Sequence, residues 1–280
     1  MITARSIHVG LNGVDRSSYR GWAGRLRACE HDARAMQTLC VAGGLTPSLL
    51  LTAAATRAAV LAAFERAAAE LRSGDLLVVT YSGHGASFAE AAGEEADGRD
   101  EAWCLYDGYL LDDEIHAALT RFAGGVRILV VSDSCFSGTV TRVDDGADTR
   151  GGPRPRLRDG SGSDDLGRRF PPDLARSVYE ARRSTYDERK RSVADAQARS
   201  PAASVVLLAA CQDNQTATES GDQGRFTAEL LAVWDHGAFA GDHAQFVAAI
   251  CPRMPAGQVP SLYMTGVRSP AFEASRPFTP

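Results

Sequence analysis

Two short stretches of this 280-residue chain combine reactive side chains with a permissive backbone: Ser82-Gly83-His84-Gly85 and Asp133-Ser134-Cys135-Phe136-Ser137-Gly138. A histidine between glycines has a reachable ring and an approachable backbone. A cysteine just ahead of Ser137-Gly138 sits on a turn where its sulfur can face a cleft. A thiolate beside an imidazole is the pair that cleaves an amide: the sulfur attacks the carbonyl and the imidazole protonates the departing amine. The backbone N–H groups of Gly85 and Cys135 are then the candidate oxyanion donors. Taken singly, Cys135 reads as a small core residue and His84 as a satisfied turn histidine. What argues for a joint role is that each follows the end of an apolar strand.

Those strands belong to an alternating pattern. Ser6 to Leu11 is strand-like, and Cys29 to Val41 carries apolar residues at helical spacing before the Gly43-Gly44 stop. Ser48 to Leu51 reads as a second strand and Thr56 to Leu71 as an alanine-rich helix. Asp75 to Tyr81 and Val126 to Ser132 are continuous apolar strands leading into the histidine and cysteine stretches, with Ser204 to Ala210 a third. Between them, Trp103 to Leu111 predicts a hairpin turning at Asp107-Gly108, and Asp112 to Phe122 a helix. Gly224 to Trp234 and Asp242 to Ile250 read as helices, and Gln258 to Thr265 as a last strand. Apolar strands separated by helices predict an α/β fold, a three-layer α/β/α sandwich around a mainly parallel sheet. In such sheets functional groups gather beyond the carboxyl ends of the strands.

The paired stretches resemble the histidine and cysteine boxes of metacaspases and their prokaryotic relatives, in the caspase-type cysteine peptidase family. Their separation of 51 residues agrees with the spacing of about 50 in caspases. Cys29-Glu30-His31-Asp32-Ala33, Asp97-Gly98-Arg99-Asp100-Glu101 with Asp112-Asp113-Glu114, Ala210 to Gln215, Gly224 to Thr227 and Gln258-Val259-Pro260 add weaker matches along the chain. The resemblance implies one caspase-like peptidase domain over residues 1–280. It also implies an S1 pocket formed by Cys29, Asp32, Ser82 and Asp133. Two carboxylates there would hold a guanidinium by charge-assisted hydrogen bonds and repel an aspartate. Cleavage after Arg, with Lys second, is the expectation. The partners would be protein substrates with exposed Arg or Lys sites.

The resemblance raises two further expectations. The chemistry itself needs no cofactor, but many metacaspases require calcium, whose candidate ligands here are Asp97, Asp100, Asp112 and Asp113. Thr141 to Ala203, rich in Gly, Pro, Ser, Asp and Arg, reads as a mobile insertion, with a short helix within Asp173 to Arg183. Caspase-type zymogens are commonly cut in this interval, and Arg183 and Arg191 are the candidate processing sites, for the enzyme itself or an upstream activating protease. If the source is bacterial, the same analogy points to stress, death or antiviral defence. Competing readings are a separase-like or gingipain-like peptidase, a catalytically silent caspase-like scaffold, and a flavodoxin-like binding domain, the last of which leaves the His/Cys pair unexplained.

Composition narrows the classes. With 44% hydrophobic and 23% charged residues the chain is that of an ordinary globular protein. A net charge of −5 argues against nucleic-acid binding through overall positive charge. No apolar run reaches the roughly 18 residues of a membrane span, so no membrane partner is expected and a cytoplasmic location is the default. The six cysteines form no C-x-x-C pair and no zinc-type cluster.

Overall fold

The computed structural model of the protein describes residues 2–89, 99–135, 167–212 and 215–280. Its elements begin with β1 (Ala4–Gly10), α1 (Cys29–Ala42), β2 (Thr46–Leu51), α2 (Arg57–Glu70), β3 (Leu76–Ser82), β4 (Gly85–Ala89), β5 (Arg99–Leu105) and β6 (Gly108–Leu111). They continue with α3 (Asp112–Leu119), β7 (Arg127–Asp133), α4 (Pro172–Ala181), α5 (Arg183–Gln197) and β8 (Ser204–Ala209). Last come β9 (Glu219–Ser220), β10 (Gln223–Gly224), α6 (Arg225–Trp234), α7 (His243–Ile250), β11 (Ser261–Gly266) and α8 (Pro270–Glu273).

The main sheet has the order β11-β8-β7-β3-β1-β2, parallel throughout except for β11 at one edge. Its central strands are apolar without interruption because both faces are covered. Successive side chains still alternate between faces. Leu77, Val79, Ile128, Val130, Val205 and Leu207 pack with Val60 and Phe64 of α2 and Ile115 and Leu119 of α3. Leu76, Val78, Leu129, Val131, Val206 and Leu208 pack on the other side with Met36 of α1, Phe226 of α6 and Phe246 of α7. The three-layer, mainly parallel architecture predicted above is what forms. Among the described residues no helix is long and apolar enough to cross a membrane.

A smaller antiparallel sheet, β4-β5-β6, contains the expected hairpin, with Leu105 opposite Gly108 across the turn. β4 is an addition: the chain leaves His84 directly into a strand. This sheet carries an aromatic cluster that includes Tyr19, Phe88, Tyr109, Phe170, Tyr179 and Tyr186. The last three come from the segment expected to be mobile. The part of it before Gly167 lies outside the described residues, but its second half forms α4 and α5. Pro172 at the first turn favours the start of α4, and α5 lies against α3. α4 overlaps the short helix expected within Asp173 to Arg183, whereas few apolar residues in a charged stretch hid α5. Buried Val178, Tyr179 and Tyr186 are enough to dock them.

β1 also carries a buried histidine, His8, between the hydroxyls of Ser6 at 2.8 Å and Thr80 at 2.9 Å. Burial lowers its pKa from 6.5 to about 3. The unfolded chain therefore takes up a proton below pH 6.5 that the folded chain refuses, so stability is full above that pH and falls with acidification. His8 should cost about 2 kcal/mol of unfolding free energy between pH 7 and pH 5. Urea titrations at both pH values check this; a His8→Gln variant with an unchanged pH slope would clear His8 of the effect.

Candidate active site

The register of β3 against β7 sets Ser82 opposite Asp133, so the two central strands end level. His84 and Cys135 each lie two residues beyond that pair. Gly85 then passes directly over the backbone of Cys135: a Cβ at position 85 would lie 1.7 Å from the Cys135 carbonyl oxygen. Only glycine permits that approach.

The His84 carbonyl accepts from the Tyr81 hydroxyl at 2.7 Å and from the Cys104 N–H at 3.0 Å. Tyr81 is itself stacked on Trp103, with ring centroids 4.4 Å apart. The His84 ring packs against Trp22 at 4.7 Å, and its Nε2 lies 3.3 Å from the Gly24 carbonyl. A carbonyl can only accept, so Nε2 carries the hydrogen and Nδ1 keeps its lone pair. Burial pulls the ring's pKa from 6.5 down to about 4, against an upward pull from backbone groups of Arg168 and Gly24. The imidazole is thus neutral at neutral pH and fit to accept a proton. The Cys135 sulfur, fully buried, accepts from the Ala217 N–H at 3.2 Å.

The four residues expected to form the S1 pocket meet at one place. Ser82 Oγ donates to Asp32 Oδ2 at 2.7 Å, and Asp32 Oδ1 accepts from the Gly224 N–H at 2.9 Å. Asp133 Oδ2 accepts from the Thr227 hydroxyl at 2.7 Å and its N–H at 3.1 Å. Glu219, which sequence reasoning missed, adds a third carboxylate. It accepts from the N–H groups of Arg27 at 2.9 Å and Ala28 at 3.1 Å, and its Oε1 lies 3.5 Å from the thiol of Cys29. Burial among these acids pushes the Cys29 thiol's pKa up and out of the reactive range.

An arginine of the chain itself sits among the acids. Arg168 lies 2.7 Å from Asp32, 2.8 Å from Asp133 and 3.4 Å from Glu219, and is wholly buried. Burial alone would lower its pKa; the attraction of Asp133 and Asp32 outweighs it and holds the guanidinium charged. Nothing local distinguished Arg168 from the thirteen other basic residues of the Arg-rich segment. Trp22 was likewise hidden, because its contact with His84 joins distant parts of the chain. The two processing candidates lie elsewhere: Arg183 and Arg191 are exposed residues of α5.

The acidic candidates also converge, away from this cluster. Asp100, Asp112 and Asp113 are buried, with carboxylate oxygens within 4.8 Å of one another; Asp97 lies outside the described residues. Three hard oxygen donors fit a divalent cation such as calcium, so the trio could hold a metal. Lys190 of α5 reaches it, its Nζ 2.7 Å from Asp100 and 3.8 Å from Asp113. It is the chain's single lysine.

Comparison with known proteins gives a consistent result. The model of the caspase domain, a peptidase family, matches residues 14–272. Metacaspase-1 of Mycosarcoma maydis is 28% identical over 244 residues, covering 80% of this chain and 59% of the fungal protein. Metacaspase-1 of Scheffersomyces stipitis is 28% identical over 254 residues, covering 81% and 60%. The chain therefore spans less than two thirds of either relative's length. The crystal structure of protein GSU0716 from Geobacter sulfurreducens superposes with a TM-score of 0.83 at 38% identity, over 99% of this chain and 98% of that one. Caspase-1 of Spodoptera frugiperda, at 11% identity, shares the fold with a TM-score of 0.54 over 95% of this chain and 88% of its own.

The contact between Gly85 and Cys135 generates a direct expectation. Gly85→Ala must push the two backbones apart, at a cost on the order of 1–3 kcal/mol. Its thermal unfolding midpoint should drop by several degrees. An unshifted midpoint in calorimetry would contradict the packing described here.

Proposed function

The chain belongs to the caspase-domain family of cysteine peptidases, and we propose that it is an endopeptidase cleaving after arginine, and second after lysine, with Cys135 as nucleophile and His84 as acid/base. The observation that carries this reading is the guanidinium of Arg168 held among Asp32, Asp133 and Glu219 beside that pair. A substrate arginine offers the same planar set of donors to the same acceptors. Lysine brings the charge on a single ammonium and makes fewer of these bonds. An aspartate would enter against three carboxylates.

In this mechanism His84 Nδ1 takes the proton of Cys135, and the sulfur attacks the carbonyl carbon that follows the pocket residue. The N–H groups of Gly85 and Cys135 receive the oxyanion. Support for Gly85 comes from its N–H, which lies 3.2 Å from the Arg168 carbonyl oxygen. His84 returns its proton to the departing amine, and water then hydrolyses the thioester to free the acid and regenerate the thiol. The silent-scaffold reading is disfavoured because both side chains of the pair are present with their supporting hydrogen bonds.

Paired fluorogenic peptides ending in Arg or Asp, given to chain incubated until its activity is constant, test this. The Arg peptide should be favoured by at least 100-fold in kcat/KM, and Cys135→Ala should turn over neither. A preference for Asp would sink the specificity, and an active Cys135→Ala would sink the mechanism.

We also read the Asp100, Asp112 and Asp113 trio as a calcium site in competition with Lys190. A bound cation would supply the positive charge that the ammonium supplies in the structure described here. Lys190→Gln should then bind calcium more tightly than the wild type in titration calorimetry, by tenfold or more. Equal affinities would show that Lys190 does not compete.

A further inference from the structure

The loop between β1 and α1 joins no sheet, yet it makes two contacts with the histidine of the reactive pair. Gly24 offers its carbonyl to His84 Nε2 at 3.3 Å, and the Trp22 ring packs on the imidazole with centroids 4.7 Å apart. The loop is closed around these residues. The Val14 N–H donates to the Ala23 carbonyl at 3.1 Å, and the Leu26 N–H to the Asn12 carbonyl at 3.0 Å. The Trp22 N–H donates to the Tyr19 carbonyl at 3.0 Å, and the Tyr19 hydroxyl to the Leu105 carbonyl at 2.7 Å. Trp22 is thereby tied to the end of β5, in the smaller sheet that begins just after His84.

Space-filling alone would account for a large ring beside the aromatic cluster. It does not account for the backbone at Gly24. That residue has φ +51°, and a Cβ there would lie 2.6 Å from the Trp22 ring. The ring that covers the imidazole therefore also shapes the turn that presents the acceptor for Nε2. Phe170 meets the same indole nearly at right angles at 4.4 Å, which gives it a further hold.

We propose that Trp22 is a positioning residue for the reaction: its indole keeps the His84 ring turned with Nε2 on the Gly24 carbonyl, leaving Nδ1 for the Cys135 thiol, and keeps water off the imidazole. The inference rests on the His84/Cys135 peptidase reading above and is independent of the arginine preference. An imidazole rotates between two broad orientations about its second side-chain torsion. The flipped ring sets a carbon where the lone pair is needed. A hydrogen bond of 3.3 Å is at the long end of its class and holds weakly against that rotation. The broad face of an indole adds contact across the ring itself.

The same cover governs protonation. Burial is the first cause of the low His84 pKa, and Trp22 supplies part of that burial. The other groups around the ring are few. Residues 167–170 bring the Arg168 guanidinium, which lowers the pKa further. Cys135 lies two residues past β7, and β5 brings Cys104, whose thiol burial keeps protonated. An aliphatic side chain at position 22 lets water reach the imidazole, so its pKa climbs from about 4 toward 6.5. A ring protonated at higher pH is lost as a base at higher pH.

The test uses the full chain, incubated until its activity is constant, as wild type, Trp22→Leu, Trp22→Met and Trp22→Phe. The kcat and KM for an Arg fluorogenic peptide are measured across pH, and circular dichroism gives the folded fraction of each variant. Trp22→Leu and Trp22→Met should lose about 20-fold or more in kcat per folded chain with KM changed less than about threefold. The acid limb of their kcat/KM profile should move up by about one pH unit or more. Trp22→Phe keeps an aromatic face and should recover kcat to within about threefold of wild type, with the limb unmoved. Lower unfolding midpoints with kcat per folded chain and the acid limb both at wild-type values overturn the proposal and leave the peptidase reading standing. A wild type that does not cleave the peptide overturns that reading and the inference with it.

Discussion

One guanidinium facing three buried carboxylates is the constraint around which this molecule is arranged. Removing such groups from water costs several kcal/mol per ion, and the loss is offset only where geometry is close. Each acid accordingly has donors besides Arg168. Asp32 is held by Ser82 and Gly224, Asp133 by Thr227, and Glu219 by the backbone before α1. These contacts join the ends of β3 and β7 to the start of α1 and to the β9–β10 hairpin. The pocket is therefore shaped by the scaffold, and an arginine, internal or external, finds its acceptors already aimed.

The sheet order explains why these parts meet. From β1 the chain moves to β2 on one side, then returns to place β3, β7 and β8 successively on the other. Order reverses beside β1, and in parallel sheets that reversal opens a crevice at the carboxyl ends. The start of α1, which delivers Asp32, and the ends of β3 and β7 border that crevice. The smaller sheet begins at Gly85 itself, so the turn carrying His84 is fixed between two sheets.

Much of this was legible in the chain. The uninterrupted apolar runs of β3, β7 and β8 gave away a sheet buried on both faces, and the residues after two of them gave away the reactive pair. Asp32, Ser82 and Asp133 were legible only through resemblance, since no local pattern tells a carboxylate in a pocket from one on a surface. Arg168, Glu219 and Trp22 were not legible at all. Each acts through partners far away in the chain, and each sits in a stretch whose composition reads as loop. Helix α5 was hidden for a related reason: one buried aromatic residue, Tyr186, docks it, while charge dominates its sequence.

Tethering gives the occupied pocket a kinetic character of its own. A group joined to its site through a short connection experiences an effective concentration in the millimolar range or above. External proteins offering an arginine at micromolar levels would compete against that at a thousandfold disadvantage or worse. While Arg168 stays in place, the carboxylate pocket is then indifferent to the number of arginine side chains around it.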